Sequence, residues 1–146
     1  MTEEYSVKDI TLGQMLDEAI ERWPDNEAIV YVDREIRFTY RRFGDLVDRL
    51  ARGLMALGVK KGEKVAVWAT NIPYWVALQF ATAKIGAILL TVNTNYRSSE
   101  LAYLLTQSQA ENLFLIEGYQ DIDYLQIVSE LVPELKTDPR GHLKSE

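Results

Sequence analysis

Cysteine is absent from this chain of 146 residues, and histidine occurs once, at His142. The absence of cysteine excludes a disulfide framework, a zinc–thiolate site and a cysteine nucleophile. His142 lies near the C-terminus without a nearby carboxylate partner or a second metal ligand, which disfavours a general-base or metal-binding role. The absence of cysteine does not determine the redox compartment of the protein, although a chain without thiols is compatible with a reducing cytoplasm.

The chain also lacks a basic stripe, a secretory signal and a long uninterrupted apolar run. Its 16 basic and 22 acidic residues give a formal net charge of −6, and the basic residues are scattered, which argues against nucleic-acid binding. Residues 1–5 are acidic and polar, unlike an export signal. The most apolar stretch, 74–92, is interrupted by Gln79, Lys84 and Gly86, which favours buried helix and strand over a membrane span. We therefore expect a soluble cytoplasmic protein without a transmembrane segment.

What is present is the composition of a folded globular domain, with 47% hydrophobic and 26% charged residues. A domain of this length buries about two-thirds of the surface that its unfolded chain exposes, so we expect one core. The first predicted helix begins after Thr11, which can form a capping box with Gln14, and runs to Trp23. Apolar runs at 28–31 and 36–38 predict a β-hairpin.

A second helix is predicted to begin after Thr39 and to stop at Gly58, which suits a left-handed C-terminal cap followed by the packing residue Val59. Residues 64–69 are apolar on both faces, as in a parallel strand covered by helices. The remaining sequence alternates in the same way, with helices predicted at 74–85, 99–107 and 123–131 and strands at 87–92 and 112–116.

This alternation predicts an α/β fold in which a mostly parallel sheet is flanked by helices and preceded by a small N-terminal β-hairpin. We assign residues 1–135 to one α/β lobe. Residues 136–146 contain Pro139, Gly141 and few apolar residues, so we predict a linker there.

No phosphate-binding signature occurs in the sequence. There is no GxxxxGK[ST] run, and the strand-to-helix turn at 70–73 has no glycine, so the GxGxxG fingerprint is missing where it would lie. The segment Gly58–Gly62, with Lys60 and Lys61, could attract an anion. A helix stop followed by a solvated turn is the favoured interpretation.

Two pairs of polar residues follow predicted strands. Asp121 and Asp123 could hold magnesium or act as acid and base, but capping of the last helix is the favoured interpretation. Asn71 and Asn93 follow successive parallel strands, at the edge where open α/β sheets bind ligands. Turn formation explains both asparagines equally well.

A group of aromatic residues, Trp68, Tyr74, Trp75 and Phe80, could line an apolar pocket. Core packing is the favoured interpretation for side chains on a strand and helix at these spacings. The residues by themselves therefore indicate an α/β domain without a complete active site.

The order of short segments along the chain carries more information than any one of them. The segments are Thr11-Leu12, Pro24-Asp25, Ala28-Ile29, Thr39-Tyr40, Leu50-Ala51-Arg52-Gly53-Leu54, Leu57-Gly58-Val59, Gly62-Glu63-Lys64-Val65-Ala66, Asn71, Phe80-Ala81, Lys84-Ile85-Gly86-Ala87, Asn93, Glu100-Leu101-Ala102-Tyr103 and Ser108-Gln109-Ala110. This series resembles the opening part of AMP-forming acyl-CoA synthetases, which are adenylate-forming enzymes, over Thr11 to about Glu134.

The resemblance implies a parent enzyme that activates a medium- or long-chain fatty acid with ATP and magnesium as acyl-adenylate and transfers the acyl group to coenzyme A. The family's ATP-phosphate loop, its adenine and magnesium segment, its ribose-binding aspartate and its C-terminal lysine have no matching positions here. We therefore assign no catalytic, cofactor-binding or metal-binding residue and expect this chain to be inactive alone. The partner that the resemblance implies is the C-terminal remainder of the same polypeptide, and an exposed lobe face is expected to promote self-association.

Two other interpretations stay open at this point. The chain could be a free-standing binding or regulatory module with a Rossmann-like core, which would need a ligand pocket complete within these residues. It could also be an interaction domain that uses its acidic surface to bind another protein.

Overall fold

The computed structural model describes residues 9–136, in which helices and strands alternate along the chain. The elements are α1 (Leu12–Arg22), β1 (Glu27–Tyr31), β2 (Ile36–Thr39), α2 (Tyr40–Ala56), β3 (Lys64–Trp68), α3 (Pro73–Ile85), β4 (Ile88–Thr91), α4 (Ser98–Ser108), β5 (Asn112–Leu115), β6 (Gly118–Tyr119), β7 (Ile122–Asp123) and α5 (Tyr124–Leu131), with 3-10 turns at Val32–Arg34 and Pro133–Lys136.

The centre of the fold is a parallel sheet with the strand order β4–β3–β5. Val65 of β3 lies opposite Leu89 of β4 on one side and Asn112 of β5 on the other. The central strand is the most buried of the three, as its uninterrupted apolar sequence predicts for a strand covered on both faces. The predicted parallel α/β architecture is confirmed.

Helices cover the two faces of the sheet in two separate layers. Val65 and Val67 of β3 face a layer formed by α1, α2 and α3, which we call the first layer. Ala66 and Trp68 face a second layer, which is formed by α4 and α5. This separation follows from the alternation of side chains along a strand. The predicted helical cover on both sides of the central strand is present.

The predicted helix ends follow local capping chemistry. The Thr11 hydroxyl accepts the N–H of Gln14 at 3.2 Å, and the Gln14 side chain accepts the N–H of Thr11 at 2.8 Å. At the end of α2, Gly58 has a φ of +93°, and the N–H of Val59 donates to the carbonyl of Leu54 at 3.0 Å. This is the left-handed stop that the sequence predicts.

The N-terminal hairpin is confirmed, since β1 and β2 pair antiparallel with Val30 opposite Arg37. A second hairpin, β6–β7, is absent from the predictions. Each of its strands is two residues long, too short for an alternating apolar pattern to emerge. Its turn includes Gln120 in a left-handed conformation, with a φ of +55°.

Other boundaries differ from the predicted ones by one or two residues, because helix and strand ends fray and depend on local hydrogen bonds. The division at residue 135 stays a prediction, since residues 137–146 lie outside the described part. Within residues 9–136, no helix has both the length and the apolar character required to cross a bilayer.

Candidate functional site

The C-terminal ends of β3 and β5 form the part of the fold best suited to hold a ligand. The helix after β3 lies in the first layer, whereas the helix after β5 lies in the second layer. The chain therefore leaves these neighbouring strands toward opposite faces, and a crevice opens between them. In open α/β sheets, this topological switch point is where ligands bind.

An apolar cleft of ≈ 180 Å³ occupies this position, and we call it the switch-point cleft. Its lining residues are Leu50, Val67, Ala69, Ile72, Tyr74, Trp75, Leu78, Phe114, Leu115 and Ile116. The side chain of Tyr74 stands at its rim and is 52% exposed. The lining carries no charged side chain, so the cleft suits an apolar group rather than a phosphate or a metal ion.

The four aromatic residues that the sequence suggested as one pocket are divided between the two layers. Tyr74 and Trp75 line the switch-point cleft. Phe80 packs edge-on against Phe43 in the first layer, with ring centroids 5.8 Å apart. Trp68 is buried on the opposite face of the sheet. Core packing is thus correct for Phe80 and Trp68. Trp75 packs against the first-layer core and also lines the cleft, whereas Tyr74 is exposed at the rim of the cleft.

Trp68 takes part in a clamp on the loop after β4. Its ring stacks on Tyr124 at a centroid distance of 3.7 Å, and its Nε1–H donates to the carbonyl of Asn93 at 3.0 Å. The Tyr124 hydroxyl donates to the carbonyl of the next residue, Thr94, at 2.7 Å. Burial raises the pKa of Tyr124, with a smaller contribution from Tyr119, so the hydroxyl keeps its proton at neutral pH. Two stacked aromatic side chains therefore hold two consecutive carbonyls.

The two asparagines lie at the predicted edge of the sheet and are both exposed. The Asn93 side chain accepts the N–H of Asn95 at 2.9 Å, which is a local turn interaction. Asn71 lies in the bend between β3 and α3, beside the switch-point cleft. Turn chemistry therefore accounts for Asn93.

The two aspartates have different roles. Asp123 caps α5 by accepting the N–H of Gln126 at 2.8 Å, as predicted. Asp121 does not cap the helix; instead it pairs with Arg97 at 2.9 Å. The hydrogen bond from Arg97 is the largest cause that lowers the pKa of Asp121. The capping interpretation of Asp121 is corrected because a guanidinium within reach offers a charged partner.

The lysine-containing turn lies at the opposite end of the sheet from the cleft, because it precedes β3. Glu63 accepts the backbone N–H of Lys60 at 2.9 Å, and Gly62 has a φ of +86°. This segment therefore forms the end of a helix followed by a tight turn, which is the interpretation favoured in the sequence analysis. His142 lies outside the described residues.

A larger polar groove of ≈ 510 Å³ follows the outer face of α2. Its lining residues are Phe38, Arg42, Asp45, Asp48, Arg49 and Arg52. Charges of both signs at helical spacing are typical of a solvated helix surface. We therefore place the candidate site at the smaller switch-point cleft, whose position and composition both suit a ligand.

The relationship of this chain to known proteins is decided by a match that covers most of its length. Residues 16–145 match the family profile described as AMP-binding enzyme. The chain belongs to the AMP-binding enzyme family. This confirms the resemblance to adenylate-forming enzymes that the ordered segments indicate.

Within this family, the chain is 51% identical over 136 residues to "Putative acyl-CoA synthetase YngI" of Bacillus subtilis (strain 168), covering 93% of this chain and 25% of that protein. It is 37% identical over 136 residues to the mitochondrial medium-chain acyl-CoA ligase ACSF2 of Mus musculus, covering 93% of this chain and 22% of that protein. The chain thus spans about a quarter of the length of these relatives.

Two solved structures share the fold of this chain. The inhibitor-bound N-terminal domain of FACL13 from Mycobacterium tuberculosis superposes with a TM-score of 0.70 at 30% identity, covering 72% of this chain and 26% of that chain. The N-terminal subdomain of Klebsiella oxytoca NpsA, in complex with anthranilyl-AMSN, gives a TM-score of 0.66 at 27% identity, covering 70% and 26%.

The lining of the switch-point cleft has no charged side chain to hold a triphosphate, and the described residues offer magnesium no cluster of ligands. Over 9–136, no three histidine, aspartate or glutamate side chains come together as metal ligands. Asp121 and Asp123, the pair considered for magnesium, have an arginine and a helix N-terminus as their partners. We therefore derive no chemical step through these groups.

Proposed function

We propose that this chain is the N-terminal α/β lobe of an ATP-dependent fatty acid–CoA ligase. The family match over 16–145 is the observation that carries the proposal. The names of the two relatives, an acyl-CoA synthetase and a medium-chain acyl-CoA ligase, support the reaction class. The parent enzyme would use ATP and magnesium to form an acyl-adenylate from a medium- or long-chain fatty acid and then transfer the acyl group to coenzyme A.

The role of this lobe in the parent enzyme is structural support at one side of the active site. The switch-point cleft presents apolar side chains and no charged group, so it has nothing that would hold a triphosphate. The chain carries no glycine-rich loop ending in lysine. We therefore propose that no residue of this chain is catalytic, and that residues 1–135 form the lobe while 136–146 connect it to the remainder.

Activity measurements test this proposal. The protein encoded by the longer reading frame should release pyrophosphate from ATP only when a medium- or long-chain fatty acid is present, and should form acyl-CoA when coenzyme A is added. The 146-residue chain should release none under the same conditions. Acyl-adenylate formation by the chain alone, or a longer protein without acid-dependent release, would contradict the proposal.

Calorimetric titration of the 146-residue chain with ATP, AMP, coenzyme A and a fatty acid distinguishes two hypotheses: that the chain is a lobe of a ligase, and that it is a free-standing binding module. A lobe that lacks the phosphate loop should show no saturable nucleotide binding. Tight, stoichiometric binding of ATP, AMP or coenzyme A would instead favour the Rossmann-like binding module.

A further inference from the structure

Helix α2 presents a stripe of charged side chains to solvent along the polar groove on its outer face. Most of the stripe consists of exposed residues at spacings of three and four, which share one face of a helix, namely Arg42, Asp45, Arg49 and Arg52. Asp48 lies beside them, with a side chain that is 48% exposed. We call these five residues the α2 stripe.

Most charges of the α2 stripe have no ionic partner within residues 9–136. Asp48 binds the Nζ of Lys84 at 2.8 Å through one oxygen, Oδ1. The other ion pairs in this range do not include the remaining members of the stripe, Arg42, Asp45, Arg49 and Arg52. The charges of these four side chains are therefore available to a partner that approaches from outside the lobe.

The order of charges along the α2 stripe is complementary to its own reverse. When two copies of α2 lie antiparallel about a two-fold axis between Asp48 and Arg49, Asp48 of one copy faces Arg49 of the other. In the same arrangement, Asp45 faces Arg52 of the second copy. The symmetry repeats each contact, and no like charges meet along the stripe. The stripe therefore matches a second copy of itself.

The charges also distinguish this register from its neighbours. Moving the second helix by about one turn in one direction places Arg42 opposite Arg52. Moving it by about one turn in the other direction places Arg49 opposite Arg52. A symmetric parallel pair would place each charge opposite itself. Because like charges in contact are unfavourable, the antiparallel register about positions 48 and 49 is the favoured one.

The same register covers an exposed apolar side chain at each end of the contact. Met55, one turn beyond Arg52, is 61% exposed in the single chain. It faces Arg42 of the second copy, whose methylene groups can cover an apolar neighbour while the guanidinium stays in water. The contact therefore joins ion pairs at its centre to apolar burial at its two ends.

We propose that the α2 stripe is an interface for a second copy of this chain, bound antiparallel about a two-fold axis between Asp48 and Arg49. A contact between one pair of helices is small, and interfaces below about 1,200 Å² belong to transient complexes. The dimer is therefore weak and depends on concentration. This interface is separate from the switch-point cleft and does not depend on the ligase function.

Sedimentation equilibrium of the 146-residue chain at two salt concentrations tests the proposal. All proteins carry Tyr74→Lys, because a charge at the rim of the switch-point cleft opposes association through that apolar surface. A dimer should still form in this background. Its Kd should rise by about tenfold or more between about 0.1 M and 1 M salt, since the Debye length falls from about 10 Å to about 3 Å.

Charge reversal then identifies the paired residues. Arg52→Glu places a glutamate opposite Asp45 of the second copy, and Asp45→Arg places two arginines together, so each should raise the Kd by about tenfold or more. The double variant Asp45→Arg/Arg52→Glu restores opposite charges across the contact. Its Kd should return to within about threefold of the parent value, because the two positions are coupled.

Arg34→Glu is the matched control, since Arg34 is an exposed arginine of the hairpin turn and its reversal changes the net charge as much as Arg52→Glu does. Its Kd should equal that of the parent. Circular dichroism of each variant checks that the helices are retained, and the salt series tests the interface without any change on α2.

Three results would overturn the proposal. The first is a strict monomer at high concentration in the Tyr74→Lys background. The second is association that does not respond to salt or to either single reversal, which would assign the contact to an apolar face. The third is a folded double variant that associates no better than the single variants, which would show that Asp45 and Arg52 do not face each other.

Discussion

The rings of Trp68 and Tyr124 stack with their planes 11° apart, and each side chain donates a hydrogen bond to the loop after β4. The stack joins the central strand, a loop and the last helix, elements that are far apart in sequence. Both side chains are fully buried, so their own donor groups have little access to water as an alternative partner.

Replacement of Tyr124 by phenylalanine should destabilise the chain by about 1–2 kcal/mol, because the carbonyl of Thr94 loses its donor while the stack is kept. Tyr124→Leu should cost more, about 2–4 kcal/mol, since the stack and its packing are also lost. Urea unfolding followed by circular dichroism measures both. Tyr103→Phe is the matched control on an exposed side chain, and an equal loss in that variant would contradict the role of the clamp.

Lys84 links three helices of the first layer, because its Nζ lies 2.7 Å from Asp17 of α1 and 2.8 Å from Asp48 of α2. Lys84→Met should destabilise the chain by about 1–3 kcal/mol at neutral pH through loss of two charge-assisted hydrogen bonds. Chemical unfolding measures this difference. Arg41→Met removes a longer, exposed pair with Asp25 and should cost less than about 0.5 kcal/mol.

The Lys84 cluster also predicts a pH dependence. Burial lowers the pKa of Lys84, but the hydrogen bonds and charges of Asp17 and Asp48 outweigh it and raise the pKa above 10.5. The folded state therefore holds this proton more tightly than the unfolded state. The stabilisation should be complete below the ordinary lysine pKa and be lost as the pH rises through the folded value. The free energies of unfolding of the wild type and of Lys84→Met should differ at neutral pH and converge in strong alkali. A difference that stays constant with pH would contradict this prediction.

Gly58 and Gly53 form a matched pair at the end and in the interior of α2. Gly58→Ala should destabilise the chain by about 1 kcal/mol, because a Cβ is disfavoured at a φ of +93°. Gly53→Ala should stabilise it by about 0.5–1 kcal/mol, since alanine favours the helix and a Cβ there meets open space. Thermal unfolding distinguishes the two, and similar shifts in both variants would contradict the C-terminal cap.

The exposed switch-point cleft predicts self-association of the 146-residue chain. Light scattering should show a mass that rises with concentration, because an apolar rim that includes Tyr74 is open to solvent. Tyr74→Lys should reduce this rise, whereas Tyr103→Lys, on the other layer, should not. A strict monomer at high concentration would contradict the prediction.

The fold could largely be predicted because its signals are local. The capping residues Thr11, Thr39 and Asp123 mark where helices begin, and each caps as expected. The end of α2 at Gly58 and the apolar strand β3 could likewise be predicted from short stretches of neighbouring residues. The β6–β7 hairpin was not predicted, because two-residue strands are too short to show an alternation of apolar and polar residues.

The candidate site was less accessible from sequence. Trp68 and Trp75 look alike as apolar aromatic positions, but one is buried among α4 and α5 and the other lines the switch-point cleft. Asp121 and Asp123 are two residues apart, yet one pairs with Arg97 and the other caps a helix. The signal that could have assigned these residues to the two faces of the sheet was the alternation of side chains along β3, combined with the position of each helix.

By itself, the sequence determined the order of helices and strands, the helix ends and the membership of the AMP-binding family, because each depends on residues close together or on an ordered series of segments. Only the tertiary structure decided which helix covers which face, where the switch-point cleft opens and which partner each charged side chain has. Those outcomes depend on residues that are distant in sequence and are brought together by the packing of the two layers on one sheet.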